Sequence, residues 1–252
     1  MSTQQWRPGR RVIICGGGPG AVSAGLAFLS RGFDVRIYEK QPECKAIGGA
    51  VLLSTPVIRE NMSRLTSRTA REISAPNSLS TVDKGWHREI LRSSAFRQML
   101  ELVPKGVIHT GHVFDSYTEM DDGVQARFTN GQSIEGDVLV GADGCRSSVS
   151  RQAFGDPRLF HTGIRLYLTW CDQITDAPPN YGTLYHDWRP SMEKWSLGRI
   201  VCLGDAVHPV LPYTAYRIGM ATEDGYHLAR ALDGIDLRRF PDVTTEFEIY
   251  EC

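Results

Sequence analysis

The stretch that most constrains the fold lies near the amino terminus: VIICGGGPGAVSAG, Val12 to Gly25, followed shortly by FDVRIYEK. RRVIIC is short, β-branched and bounded by glycine, which predicts a buried strand. GGGPG predicts a tight turn. AVSAGLAFLSRG carries small and apolar residues at helical spacing and closes on Gly32, a C-cap glycine. FDVRIYEK predicts a second strand, with Val35, Ile37 and Glu39 on one alternation. Together these make a βαβ unit. The run Val12 to Leu29 is apolar, but its five glycines and one proline suit a strand–turn–helix better than a membrane span.

The glycines stand at the spacing of a phosphate cradle. Gly16 permits the turn after the strand. Gly18 lets the backbone approach a pyrophosphate with no side chain in the way. Ala21 fills the third small position of G-x-G-x-x-[GA] and allows close helix–strand packing. The helix amino terminus then presents free N–H groups and a positive dipole end. Glu39 closes the second strand 23 residues after Gly16, near the place of the acid that binds a ribose hydroxyl. An acid there repels a 2′-phosphate, so a nucleotide with a free adenosine ribose is expected. The competing reading is a glycine turn with no ligand, and this unit alone does not separate NAD from FAD.

Farther along, residues 56–100 read mostly as helix, with a further helix from Arg88 to Leu102. The segment from Val107 to Gly144 reads as short strands, with hairpin turns at Asp122-Gly123 and Asn130-Gly131. DVLVGADG and GRIVCLGDAVHP each read as a buried strand ending in a turn. ATEDGYHLARALDG reads as a helix, with Glu223 and Asp224 near its positive end. The net charge of −1 gives no reason to expect nucleic acid or an anionic membrane as partner, and the scattered arginines read as a solvated face. The six cysteines form no C-x-x-C pair, so neither a disulfide framework nor a zinc site is expected, and HTGH lacks further ligands nearby. No metal is expected. With no apolar signal core at the start, the cytoplasm is the expected compartment.

Three stretches, in order, resemble the FAD-dependent aromatic hydroxylases (group A flavin monooxygenases), especially the salicylate-hydroxylase-like fungal members. They are VIICGGGPGAVSAGLAFLSRGFDVRIYEK, then DVLVGADGCRSSV, similar to the family's Asp-Gly motif, then GRIVCLGDAVHPVLPY…ATEDG, similar to its Gly-Asp motif. The resemblance implies FAD as cofactor and NAD(P)H as a transient reductant. It implies cofactor-binding roles for Gly16, Gly18, Glu39, Lys40, Gly49, Ala50, Arg88, Asp143, Gly204 and Asp205. Asp205 would hold the ribityl chain, and Arg88 would reach the cofactor, with an imperfect offset to its partner leucine. The implied reaction is hydroxylation or epoxidation of an aromatic or polyketide-like small molecule, in secondary metabolism. No catalytic acid or base is assigned; Tyr167, Tyr185, His208 and Tyr213 are candidates to face the pocket.

The chain departs from that pattern in its middle. Asp143 and Asp205 are 62 residues apart, where the family has a far longer interval holding the sheet that roofs the substrate pocket. Tyr216 and Arg217 replace a Gln-Gly step whose backbone cradles the flavin. The expected fold is α/β: a Rossmann-like FAD-binding domain of βαβ units, a parallel sheet and a small antiparallel sheet. That domain would comprise residues 1–158 and 199–252, with 159–198 a remnant of the substrate domain. Surface left bare by the lost roof suggests a homodimer. The alternative reading is a truncated non-redox flavin binder or isomerase on the same scaffold.

Overall fold

The computed structural model describes residues 6–45, 50–54, 87–156, 160–161, 187–188, 192–210 and 217–251. In chain order its elements begin with β1 (Arg11–Cys15), α1 (Pro19–Ser30), β2 (Asp34–Tyr38), β3 (Ala50–Ser54), β4 (His87–Leu91) and α2 (Arg92–Leu102). Next come β5 (Ile108–His109), β6 (Phe114–Met120), β7 (Gly123–Phe128), β8 (Ser133–Gly136), β9 (Val138–Gly141) and α3 (Ser148–Phe154). After β10 (Phe160–His161) and β11 (Asp187–Trp188), the chain forms β12 (Ser196–Leu197), β13 (Ile200–Cys202), a 3-10 turn at Gly204–Ala206, α4 (Arg217–Ala231) and α5 (Phe240–Glu251).

Strand β1 lies inside a six-stranded sheet of order β12-β13-β9-β1-β2-β5. It runs parallel to β2, with Val12 opposite Val35, and parallel to β9, with Val12 opposite Val138. Strand β13 is parallel to β9, and β12 closes the edge antiparallel. The near-continuous apolar runs of β1 and β9 follow from burial on both faces. Val12, Ile14, Val35, Ile37, Val138 and Val140 pack under α1, α4 and α5, against residues such as Phe28, Leu228 and Phe247. Ile13, Leu139 and Ile200 face the other way, onto Val124, Ala126 and Phe128 of the small antiparallel sheet β6-β7-β8. The expected βαβ unit, parallel sheet and small antiparallel sheet are all present.

Helix α1 ends as its sequence predicts. Gly32 adopts φ 77°, and the Phe33 amide donates to the Phe28 carbonyl at 3.2 Å, closing the last turn. The Asn130-Gly131 turn also forms, with Gly131 at φ 82°. The first hairpin differs from the reading by one residue. Its turn is Asp121-Asp122, and Gly123 opens β7 because any Cβ there would overlap the Gly136 carbonyl across the sheet. The predicted helix from Arg88 is likewise divided: His87–Leu91 is a strand, since Ala50–Ser54 supplies it with an antiparallel partner, and the helix starts at Arg92. The helical reading of residues 56–86 falls outside the described residues, as does most of the 160–197 segment.

Arg199 ties the layers together. It is 1% exposed, and its guanidinium donates to the carbonyls of Asp121, Asp137, Leu237 and Arg238, while its amide donates to Glu119. A buried cation is tolerable when hydrogen bonds replace its hydration. Here one side chain joins the β6-β7 turn, the β8-β9 step and the segment between α4 and α5.

Helices α1 and α4 pack in parallel. A methyl placed on Gly20 would lie 2.9 Å from the Ala221 Cβ, and one on Gly225 would lie 2.7 Å from the Ala24 Cβ. Both pairs advance by four residues, so the two helix amino termini lie at the same end. That end is the carboxyl edge of β1, β9 and β13, where ligands bind in open parallel sheets.

Candidate cofactor site

Three loops leave that edge: Gly16–Gly18 after β1, Ala142–Ser147 after β9 and Leu203–His208 after β13. Gly16 adopts φ 109°, and a Cβ there would overlap the Ala142 backbone. Gly17 lies against Glu39, 2.6 Å from a built Cβ to the Glu39 Cβ. Gly18 faces open space, with nothing within 4 Å of a built Cβ. It is also the N-cap of α1, whose side-chain-free cap and Pro19 leave the first-turn amides for an outside acceptor. An open backbone cradle at a helix N-terminus is what a diphosphate requires.

Glu39 is 9% exposed at the end of β2. Its carboxylate accepts the Gly17 amide at 2.5 Å and the Gln41 amide at 2.8 Å. The acid is therefore held against the glycine turn, at the place a ribose hydroxyl would be met. Lys40, next to it, is exposed. Gly49 lies outside the described residues. Ala50 and Arg88 stand on the β3-β4 pair, opposite Leu91 and Leu53 respectively.

Asp143 turns inward on its own loop. It accepts from the Ser147 hydroxyl at 2.5 Å and the Ser148 amide at 2.6 Å, while Ser147 caps α3 through the Ser150 amide. Burial pushes the Asp143 carboxyl above its ordinary value, and those donors oppose the shift. These bonds shape the loop between β9 and α3. Gly144 beside it adopts φ 84° and faces open space.

At the third loop Gly204 adopts φ 59°, and a Cβ on it would lie 3.0 Å from the Ala221 Cβ. Ala221 thus touches both Gly20 and Gly204, which brings the first and third motifs together. The Gly204 amide donates to Asp224 at 2.8 Å, and the same Asp224 oxygen lies 2.6 Å from the His208 Nε2. Asp224 was expected near a helix start. Because α4 begins at Arg217, it sits deeper in the helix and fastens the Gly204 loop instead. Asp205 pairs with Arg217, which donates from Nε to Oδ1 at 3.0 Å and from a terminal nitrogen to Oδ2.

Arg92, not singled out from the sequence, opens α2. Its Nε is buried with no hydrogen-bond partner, and burial lowers its pKa. Its charge also lowers the pKa of Arg217, after the larger effect of burial. A desolvated cation with an unpaired N–H is chemically suited to a phosphate. The signal was available: Ala95 and Met99, three and seven positions on, form the buried face of α2, so Arg92 holds the helix-start position that Arg88 does not. The residues at this edge fit FAD. Among the described residues, no group of His, Cys, Asp and Glu side chains is arranged to hold a metal, and no helix is long and apolar enough to cross a membrane.

Comparisons with known proteins agree with this geometry. Residues 164–234 match the family model described as FAD binding domain. The chain is 24% identical over 319 aligned positions to 3-amino-4-hydroxybenzoate 2-monooxygenase PtmB3 of Streptomyces platensis, covering 90% of this chain and 80% of that one. The alignment is longer than the chain itself, so that relative carries segments with no counterpart here. It is 29% identical over 183 positions to the FAD-dependent monooxygenase SAT7 of Stachybotrys chartarum, covering 58% of this chain and 38% of that one. Among solved structures, Klebsiella pneumoniae HpxO complexed with FAD and uric acid shares the fold, at TM-score 0.70 and 17% identity, covering 97% of this chain and 84% of that one. Three ordered motifs, a shared fold and a matching FAD-binding model make this chain similar to the FAD-dependent aromatic hydroxylases, the group A flavin monooxygenases.

Proposed function

We propose that the chain is an FAD-dependent monooxygenase that consumes NAD(P)H and O2 to hydroxylate or epoxidise an aromatic or polyketide-like small molecule. One oxygen atom enters the product, the other leaves as water, and NAD(P)H supplies the two electrons. The observation that carries the reading is that Ala221 touches both Gly20, in the first turn of α1, and Gly204, at the open end of two parallel helices. The names of the relatives support it: PtmB3 is a monooxygenase of an aromatic acid.

FAD, when bound, supplies the electron transfer and the oxygen activation. The chain's own part is to bind, orient and exclude water. The Gly18 cradle and the first-turn amides of α1 take the diphosphate, with Arg92 closing on it. Glu39 accepts from the adenosine ribose, with exposed Lys40 next to it, and the family resemblance assigns Gly49, Ala50 and Arg88 to cofactor binding. Asp205 holds the ribityl hydroxyls, on a turn kept in place by Gly204 and Asp224, while Asp143 shapes the middle loop. In this reading residues 1–158 and 199–252 form the FAD-binding domain, and 159–198 form a reduced substrate domain.

The direct test is an absorption spectrum after reconstitution with FAD, followed by NADH and NADPH oxidation with candidate aromatics. A yellow protein whose oxidation of either nucleotide rises with substrate and oxygen uptake is expected. A protein that stays colourless overturns the proposal. A second reading, a non-redox flavin binder or isomerase, draws on the pairing of Asp205 with Arg217 where the family carries a glycine. It expects bound flavin without substrate-stimulated oxidation.

A further inference from the structure

Arg217 stands at the amino terminus of α4, one turn before Ala221, which touches both Gly20 and Gly204. Four residues of helix rise about 6 Å. Because α1 and α4 run in parallel, that step carries Arg217 to the level of the Gly16–Gly18 turn. The next residue, Ile218, packs against the cluster that Val22 of α1 forms with Phe96 and Met99 of α2, which fixes the helix start. Asp205 holds the Arg217 guanidinium at this edge. Burial lowers the Arg217 pKa, and the charge of Arg92 adds to that effect.

At this edge the Arg217 guanidinium and the Asp205 carboxylate form a paired cation and anion beside the glycine turn. We infer that Arg217 is a second cationic clamp for the FAD diphosphate, held on Asp205 until the dinucleotide arrives. The inference rests on the flavin reading above. A planar guanidinium matches two phosphate oxygens as well as it matches two carboxylate oxygens. On binding, Arg217 turns to the diphosphate and Asp205 is released to accept ribityl hydroxyls. An arginine here thus replaces backbone contact through glycine with side-chain contact through charge.

The test is FAD affinity by fluorescence quenching, with ADP as competitor, for the wild type and for Arg217→Gly, Arg217→Gln and Arg217→Lys. Loss of one charge-assisted phosphate contact predicts about tenfold weaker FAD for the Gly and Gln variants. ADP should lose the same factor, since it carries the diphosphate without the flavin, and the Lys variant should recover part of the loss. Thermal melting identifies any variant that fails to fold; Arg217→Lys, which keeps the charge, then carries the comparison. Tighter FAD binding by Arg217→Gly makes Arg217 a plug and overturns the inference. Weaker FAD with unchanged ADP places the arginine at the ring and also overturns it. A wild type that binds no FAD overturns the flavin reading itself.

Discussion

Gly225 and Ala24 meet so closely that a methyl on the glycine would lie 2.7 Å from the Ala24 Cβ. Both positions belong to helix interiors, and contact of this kind sets how near α4 stands to α1 and hence how the two cofactor loops approach. Overpacking a well-packed contact costs about 1–3 kcal/mol. Gly225→Val should lower stability by that amount in urea unfolding and should weaken FAD binding in parallel. A variant of native stability and native FAD affinity would show that the helix pair does not position the site.

Glu39 satisfies two amides with two carboxylate oxygens, those of Gly17 and Gln41. Glu39→Gln turns an NH2 group toward one of these N–H donors. Hydrogen bonds to charged groups contribute about 1.5–3 kcal/mol. The expected outcome is a fall in stability of that order and FAD affinity weakened about tenfold or more. Isothermal titration with FAD reads the second effect, and an unchanged dissociation constant would remove Glu39 from the ribose site.

Arg199 donates to four backbone carbonyls from inside the protein. Arg199→Met keeps much of the side-chain volume but leaves those acceptors without their donor. Each buried unpaired acceptor costs about 1–3 kcal/mol, so the stability from urea unfolding should fall by at least about 3 kcal/mol. Little or no change would mean that water takes over the network.

Alkaline pH should unfold the protein through groups buried in their neutral form. Burial raises the Cys15 thiol well above its ordinary value of 9.0, with Asp143 and Cys202 adding to the effect. Burial, followed by Glu119, pushes Tyr117 from 10.0 up to about 12. For an acid whose folded pKa is raised, stability is full below the unfolded pKa and is lost as pH rises through the folded one. Urea midpoints should therefore hold up to about pH 9 and decline toward pH 12. Tyr117→Phe should reduce the part of that decline above pH 10. In the same samples, alkylation mapped by peptide should spare Cys15 and Cys202 until denaturant is added.

The amino-terminal βαβ unit was legible because local rules agree there: β-branched residues, a glycine turn and a capped helix stand at fixed offsets. The β9 and β13 strands were legible for a similar reason, as apolar runs with glycine at the end. What sequence did not disclose depended on distant partners. Leu91 to His87 became a strand because Ala50–Ser54 pairs with it. Asp224 gained its place from a helix that begins four residues before Ala221. Arg217 was noticed as an obstacle to close backbone approach, but its pairing with Asp205 is a property of folded space.

The position of β1 between β2 and β9 has a consequence during synthesis. Strand β1 waits for its second neighbour until Val138 follows Val12 out of the ribosome, and α1 waits longer still for α4. Through that interval a nascent chain presents an unpaired strand edge and an uncovered apolar helix face, the features that favour chaperone capture or aggregation. Yield from a fast-translating host should accordingly depend on chaperone supply more than on the stability of the finished fold.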